Sequence, residues 1–274
     1  MKSSDYPITS LRWKNSFDHK NKSIVVTVTA DGKITHWHAF SGKVLHTMEE
    51  KDNPIMCMDF SPDGTYFATG GTDKKVRLYD DNTKTLLKTM KPGDFNHPGH
   101  SNRIFSINFH KDNSNFMASG GWDNTIQFYD LREGNIVRSI YGPHICGDAI
   151  DMKGDYLLTG SWSTENQIQI WDLRTFKLLY NVNWEGDKAY NPTYLYSAQF
   201  SKNSKSNLFA VGGSNANIFR IFENETSKKL PQATTKSMFS SCYSIDFGNN
   251  SKFVTTGCGD GAVRVYSVTK SSIE

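Results

Sequence analysis

Six times the chain repeats a four-residue phrase of apolar, polar, mostly apolar and aromatic residues. The copies are ITHW (34–37), VRLY (76–79), IQFY (126–129), IQIW (168–171), FRIF (219–222) and VRVY (263–266). They are spaced by 42, 50, 42, 51 and 44 residues. The phrase alternates with the period of two that marks a half-buried β-strand. A unit of this length recurring along a chain is one supersecondary structure stacked on its own copies. The 274 residues are enough for a single all-β domain over 1–274 with a large core.

Within each unit four strands are predicted. Strand A ends in a large apolar residue: Trp13, Phe60, Phe109, Ile150, Phe200 or Phe247. A turn rich in Asp, Asn and Gly follows, such as SPDG (61–64) or HKDN (110–113), residues that supply local bonds and positive φ. Strand B ends in small residues, as in FATGG, FMASGG, YLLTGS and LFAVGG, where glycine admits a neighbouring backbone. The repeated phrase is strand C. A more polar outer strand D follows, as in GKVLHTM (42–48) and KTLLKTM (84–90). Six units result, over 7–48, 54–90, 102–140, 144–182, 194–232 and 240–268.

Four antiparallel strands repeated radially make a β-propeller. GGWDNTIQFYDLREG (120–134), GTDKKVRLYD (71–80) and the Gly-His of GHSNRIF (99–105) resemble WD40 repeats, and the likeness runs over residues 7–268. That resemblance implies an all-β, WD40-type propeller of six recognisable four-stranded blades, with an incomplete seven-bladed ring as the alternative. It also implies a structural network of His, Ser or Thr, Asp and Trp. The third unit approaches it with His100, Ser119, Asp123 and, in the Trp slot, Tyr129. Elsewhere only parts survive: Asp31, Asp73 and Asp260 in the B–C turns, and Trp37 and Trp171 on strand C. The sixth unit ends in SVTKSSIE without a convincing strand D. Three closures compete: a weak one by the N-terminus, a missing blade, or a partner completing the open last blade.

Long loops fall on the D–A and B–C side: 91–101, 183–193 and 161–167. Loops on a rigid scaffold are where binding concentrates. Counting six and four residues back from each strand-A anchor gives two sets on that side. The outer set is Pro7, Pro54, Arg103, His144, Tyr194 and Ser241; the inner is Thr9, Met56, Phe105, Cys146, Tyr196 and Tyr243. The family commonly binds peptides through such positions. Tyr, Phe, Met and Arg are enriched at interface hot spots. The candidate protein-binding residues are therefore Arg103, Phe105, Tyr194, Tyr196, Tyr243, Met56 and His144. The competing reading has Phe105, Tyr196 and Tyr243 filling a central channel as core.

Other chemistry finds little support. His97 and His100 lie in HPGH without a ligand set at metal spacing, so no metal or cofactor is implied. The GG pairs lack a phosphate-loop GK[ST] ending, and no G-x-S-x-G elbow occurs. His144 and Cys146 in YGPHICGD suggest a dyad but no orienting third group. Net charge is only +3, and the scattered Lys74, Lys75, Lys228 and Lys229 make no nucleic-acid footprint. No stretch reaches the roughly 18 apolar residues of a membrane span, and MKSSDYPITS lacks the apolar core of a secretion signal. Four cysteines in no C-x-x-C spacing fit a reduced, cytoplasmic setting, with nuclear or ciliary and cytoskeletal alternatives. Cys242 and Cys258 are predicted to face each other if Phe247 pairs with Phe253. The expected function is a non-catalytic scaffold that docks proteins in a larger assembly. A substrate- or peptide-reading subunit (ubiquitin-ligase receptor or chromatin reader) and a ciliary or cytoskeletal component are the alternatives. An enzyme is the reading from another class.

Overall fold

The computed structural model describes residues 5–14, 23–93, 98–182, 184, 193–203, 206–224, 231–235 and 238–268. Parts of the two long loops expected at 91–101 and 183–193, with His97, Lys228 and Lys229, lie outside these residues. Two compact units are present, Met1–Gly142 and Pro143–Glu274. Every regular element among the described residues is a β-strand.

In the first unit the first sheet holds β1 (Ile8–Trp13), β2 (Ile24–Thr29), β3 (Lys33–His38) and β4 (Lys43–Glu49). The second holds β5 (Ile55–Phe60), β6 (Tyr66–Gly71), β7 (Val76–Asp80) and β8 (Thr85–Met90). The third holds β9 (Ile104–Phe109), β10 (Phe116–Gly121), β11 (Thr125–Asp130) and β12 (Asn135–Tyr141). In the second unit the fourth sheet holds β13 (Ile150–Lys153), β14 (Tyr156–Gly160), β15 (Ile168–Asp172) and β16 (Lys177–Val182). The fifth holds β17 (Tyr194–Phe200), β18 (Leu208–Ser214), β19 (Phe219–Glu223) and β20 (Pro231–Thr234). The sixth has three strands among the described residues: β21 (Cys242–Phe247), β22 (Phe253–Cys258) and β23 (Val263–Ser267). Each sheet is an antiparallel meander in chain order, the blade topology of a β-propeller.

The core lies between successive sheets. Val26, Val28 and Ile34 of the first pack on Ile55, Met58 and Phe67 of the second. Cys57, Val76 and Leu78 of the second pack on Ile104, Ile107 and Met117 of the third. Ala210, Phe219 and Ile221 of the fifth meet Cys242, Ile245 and Val254 of the sixth. A Cβ on Gly70 would stand 2.8 Å from Ile104 Cγ2, so strand B ends in glycine there to admit the next sheet. Buried polar groups tie sheets together as well. Asp59 accepts the Phe109 N–H at 2.8 Å and Asp151 accepts the Phe200 N–H at 2.7 Å. His36 is buried and its Nε2 meets the Asp81 carboxylate at 2.8 Å. Burial lowers its pKa, against the raising effect of that carboxylate.

The predicted strand-A ends hold at Trp13, Phe60, Phe109, Phe200 and Phe247 but not at Ile150. Ile150 opens β13, and the residue in register with Phe109 is Met152, opposite Leu157 and so beside Trp171. The cause is a widened irregular lead-in over Ile145–Asp148. Gly160 N donates to Ala149 O and Trp162 N donates to His144 O, both at 2.8 Å. In the third sheet only Ile104 and Phe105 separate the matching positions, Arg103 and Ser106. Two extra residues thus offset the two-residue slip, and His144 still falls in Arg103's place. Cys146 is part of this wide lead-in and does not sit two along a regular strand from His144.

Candidate functional site

The outer set of lead-in residues occupies one structural position. In the first unit the carbonyls of Pro7, Pro54 and Arg103 accept the N–H groups of Ala30, Thr72 and Trp122 at 3.0, 3.1 and 3.0 Å. In the second, His144 and Ser241 accept from Trp162 and Gly259 at 2.8 and 3.0 Å, and Tyr194 pairs with Ser214. The second glycine of each GG pair serves this contact. A Cβ on Gly121 or Gly213 would lie 2.0 Å from the carbonyl oxygen of Arg103 or Tyr194.

The inner set has a shared physical cause that the sequence did not announce. Thr9, Met56, Phe105, Tyr196 and Tyr243 are each the residue skipped by the register shift of their strand. An extra residue of this kind bends a strand and re-aims a side chain. Five inner strands carry the bulge at the same place, and the fourth sheet substitutes its wider lead-in. The bulge turns these side chains out of the ladder: Tyr243 is 49% exposed, and Met56, Phe105 and Tyr196 are half-buried.

Two residues missed in the sequence complete these surfaces. Trp122 and Trp162 follow the small residues of GG (120–121) and GS (160–161), where the other sheets place Ala30, Thr72, Ser214 and Gly259. An aromatic in a slot of small residues was the available signal. In the first unit Phe105 stacks on Trp122 at 5.1 Å, and the Arg103 guanidinium lies 5.4 Å from the Trp122 ring centre. In the second, Trp162 meets Tyr194 at 4.6 Å and His144 at 6.1 Å. Its Nε1–H donates to the Tyr196 hydroxyl at 3.1 Å, and Tyr196 packs edge-on against Tyr243 at 5.0 Å.

The residues read as structural form networks inside the sheets. Asp123 meets His100 Nδ1 at 2.8 Å, His100 Nε2 meets Ser119 Oγ at 2.7 Å, and Ser119 Oγ meets the Tyr129 hydroxyl at 3.0 Å. Burial works against the Asp123 carboxylate, but bonds from His100, Ser101 and Thr125 outweigh it and lower its pKa. The order Asp–His–Ser is that of a hydrolytic triad. Here the serine is fully buried and engaged by Tyr129, so no substrate reaches it. The second sheet carries a version that the sequence reading overlooked. Glu50 replaces the histidine: it accepts from Thr69 at 2.5 Å, Tyr79 at 2.9 Å and Arg77 at 3.0 Å. Arg77 also reaches Asp73 at 2.5 Å. Trp37 and Trp171 donate to Thr27 and Thr159 at 2.9 and 3.2 Å. Asp31 pairs with Lys33 at 2.7 Å and Asp260 with Arg264 at 2.5 Å. Asp73, Asp123 and Asp260 each accept the N–H two residues on, across a residue with positive φ, the Asx turn expected of them.

Three stretches of the chain, 42–80, 93–130 and 231–267, match the family model described as WD domain, G-beta repeat. The chain contains WD40 repeats. Relatives include Cell division cycle 20.1, cofactor of APC complex, of Arabidopsis thaliana, 28% identical over 54% of this chain and 31% of that protein. The Target of rapamycin complex subunit LST8 of Bos taurus is 28% identical over 56% and 45%. The ribosome biogenesis protein WDR12 homolog of Drosophila virilis is 23% identical over 98% and 64%. The chain spans less than two thirds of the length of each. One of the three is named as a cofactor of a complex and another as a subunit of one.

Each matched WD40 stretch ends on the third strand of a sheet, β7, β11 or β23; the first and last begin at the outer strand of the sheet before, and the second begins just after it. The last runs from β20 through β23. Sequence repeat and sheet are therefore staggered, and the stretch 231–267 ends on a third strand, β23. In β23, Val263 and Val265 are 74% and 65% exposed. Cys242 and Cys258 face each other in the sixth sheet, though Phe247 pairs with Val254 rather than Phe253. The bulge at Tyr243 restores the facing. Both are free thiols, and burial, helped by Cys258, raises Cys242 to about 12.

Proposed function

We propose that this WD40-repeat protein is a non-catalytic scaffold subunit that docks partner proteins on the lead-in side of its sheets. The observation that carries this reading is the contiguous aromatic surface of His144, Trp162, Tyr194, Tyr196 and Tyr243. Aromatics of this kind dominate interface energetics, and here Tyr196 and Tyr243 are set on strand bulges, with His144, Trp162 and Tyr194 beside them at the strand lead-ins. Relatives named as a complex cofactor and a complex subunit support membership of an assembly. The facing free thiols of Cys242 and Cys258 suit a reducing compartment such as the cytoplasm. A second docking element is β23, which has no further strand beside it among the described residues and whose exposed Val263 and Val265 favour an added strand.

Affinity purification of the full chain with mass spectrometry tests the main reading. The Trp162→Ala/Tyr243→Ala variant is expected to lose its specific partners by about tenfold or more, as hot-spot truncations do. Its melting temperature stays within a few degrees of the parent. Undiminished capture of every partner by the variant overturns the proposal.

A further inference from the structure

The molecule holds two versions of one local arrangement. Trp122 and Trp162 occupy the same position, each donating its N–H to the lead-in carbonyl, of Arg103 and His144 respectively. In the first unit the chain supplies its own cation: the Arg103 guanidinium lies 5.4 Å from the Trp122 ring centre, and Phe105 stacks beside it. In the second unit the arginine is replaced by His144, tilted at 44° and 6.1 Å away. Among the described residues no guanidinium or ammonium lies over Trp162. The aromatic surface is also larger there, because Tyr194, Tyr196 and Tyr243 extend it.

We propose that the Trp162 surface receives a cationic side chain, arginine or lysine, from an extended segment of a partner protein. The inference rests on the docking reading above and names the chemistry of the partner. Trp122 with Arg103 is the internal template for the contact. A cation over an indole face is attracted by the ring quadrupole, most strongly for Trp. Local charge points the same way. The loop after Trp162, residues 163–167, reads STENQ, with Glu165 its charged member. The wide lead-in at 145–148 reads ICGD, whose one charged residue is Asp148. The matching turn of the second sheet reads DKK (73–75), and the third has Arg103 itself.

The test follows indole N–H resonances of the full chain by NMR, with Trp122 and Trp162 assigned from Trp122→Phe and Trp162→Phe. The probes are a blocked heptapeptide of alanines with a central arginine and its neutral citrulline isostere. The arginine peptide is expected to move the Trp162 signal saturably, at least about threefold more tightly than the citrulline peptide. The Trp122 signal stays unmoved in the parent and gains a response in Arg103→Ala. Equal responses to the two peptides, or none at Trp162, overturn the inference. Tyr243→Ala, at a half-exposed site, is a second variant that weakens the arginine response without unfolding the sheet. If binding is blind to charge while Trp162→Ala still loses its partners, the cation inference fails and the docking reading stands. If Trp162→Ala keeps its partners, the docking reading fails, and the peptide titration decides the cation question by itself.

Discussion

The second and sixth sheets carry almost the same phrase, VRLY and VRVY, and put it to different ends. Val76 is 1% exposed and Val263 is 74% exposed. Arg77 lies between buried Glu50 and Asp73, whereas Arg264 pairs with half-exposed Asp260. Tyr79 is buried and donates to Glu50, whereas the Tyr266 hydroxyl lies 3.8 Å from Met238 Sδ. The difference lies in what covers the strand: Val76 and Leu78 pack on Ile104 and Ile107 of the third sheet and lie beside β8, whereas among the described residues β23 has no fourth strand beside it. Val76 pairs with Met90 of β8, and in the first, third and fourth sheets Ile34, Ile126 and Ile168 pair with Met48, Ile140 and Val182 in the same way. A residue's place in the repeat sets the direction of its side chain. Whether that side chain leaves water depends on the sheet packed against its face and on the strand beside it.

The sharpest way to break this comparison is at the paired arginines. Arg77→Met leaves the Glu50 carboxylate buried without its cation, a change that costs about 3–5 kcal/mol in unfolding free energy. Arg264→Met removes an exposed ion pair and stays within about 0.5 kcal/mol of the parent. Urea unfolding measures both, and equal effects would show that the two networks do not differ in burial. The apolar neighbours come next. Leu78 is buried at 6% exposure, and Leu78→Ala is expected to cost about 2–5 kcal/mol. Val265, its counterpart, is 65% exposed, and Val265→Ala costs a few tenths of that.

Acid sharpens the contrast further. Asp81 and Asp260 are both held at about 2. For Asp81 burial pushes upward and is overcome by His36, Lys14 and Lys84, with the carboxylate itself wholly buried. For Asp260 the causes are the bond from Arg264 and then the Ala262 N–H, at a partly exposed site. A depressed carboxylate contributes stability that is present above its unfolded value and lost as pH falls through its folded one. Asp81 therefore contributes on the order of 2 kcal/mol above pH ~4, lost between roughly pH 4 and 2. The melting temperature of Asp81→Asn should show a flatter acid limb, and that of Asp260→Asn the parent's limb. An unchanged acid limb in Asp81→Asn would assign the acid sensitivity to other carboxylates.

Much of the scaffold is legible in the chain because alternation and turn chemistry are local. The repeated phrase marks the third strand of every sheet, and Asp73, Asp123 and Asp260 announce their turns by being followed two residues on by a bonded N–H. The lead-in residues are legible by counting, although the reason they share a place, a bulge in each inner strand, is a property of pairing. Counting fails where pairing departs from the repeat. Ile150 resembles its counterparts as an apolar strand residue, but the extra residues before it move Met152 into that role. Glu50 was hidden because a carboxylate does not look like a histidine until Arg77, Thr69 and Tyr79 are seen to satisfy it. The exposure of Val263 is invisible in principle, since its neighbours in sequence match those of Val76.

The smallest expected effect is therefore the most discriminating. Val263→Asp sets a charge on β23, the edge strand of its sheet among the described residues, at a position that is already mostly in water. With the edge uncovered, it changes unfolding free energy by no more than about 0.5 kcal/mol. A charged edge also discourages strand-to-strand association, so the variant should self-associate less than the parent in sedimentation velocity at high concentration. Val76→Asp, at the paired counterpart, buries an unpartnered carboxylate and abolishes folding of its unit. If Val263→Asp instead costs several kcal/mol in the isolated chain, a strand covers Val263 in solution and the contrast between the two phrases disappears. If the cost appears only when a partner is added, the covering strand belongs to that partner, and the exposed edge is a docking element in its own right.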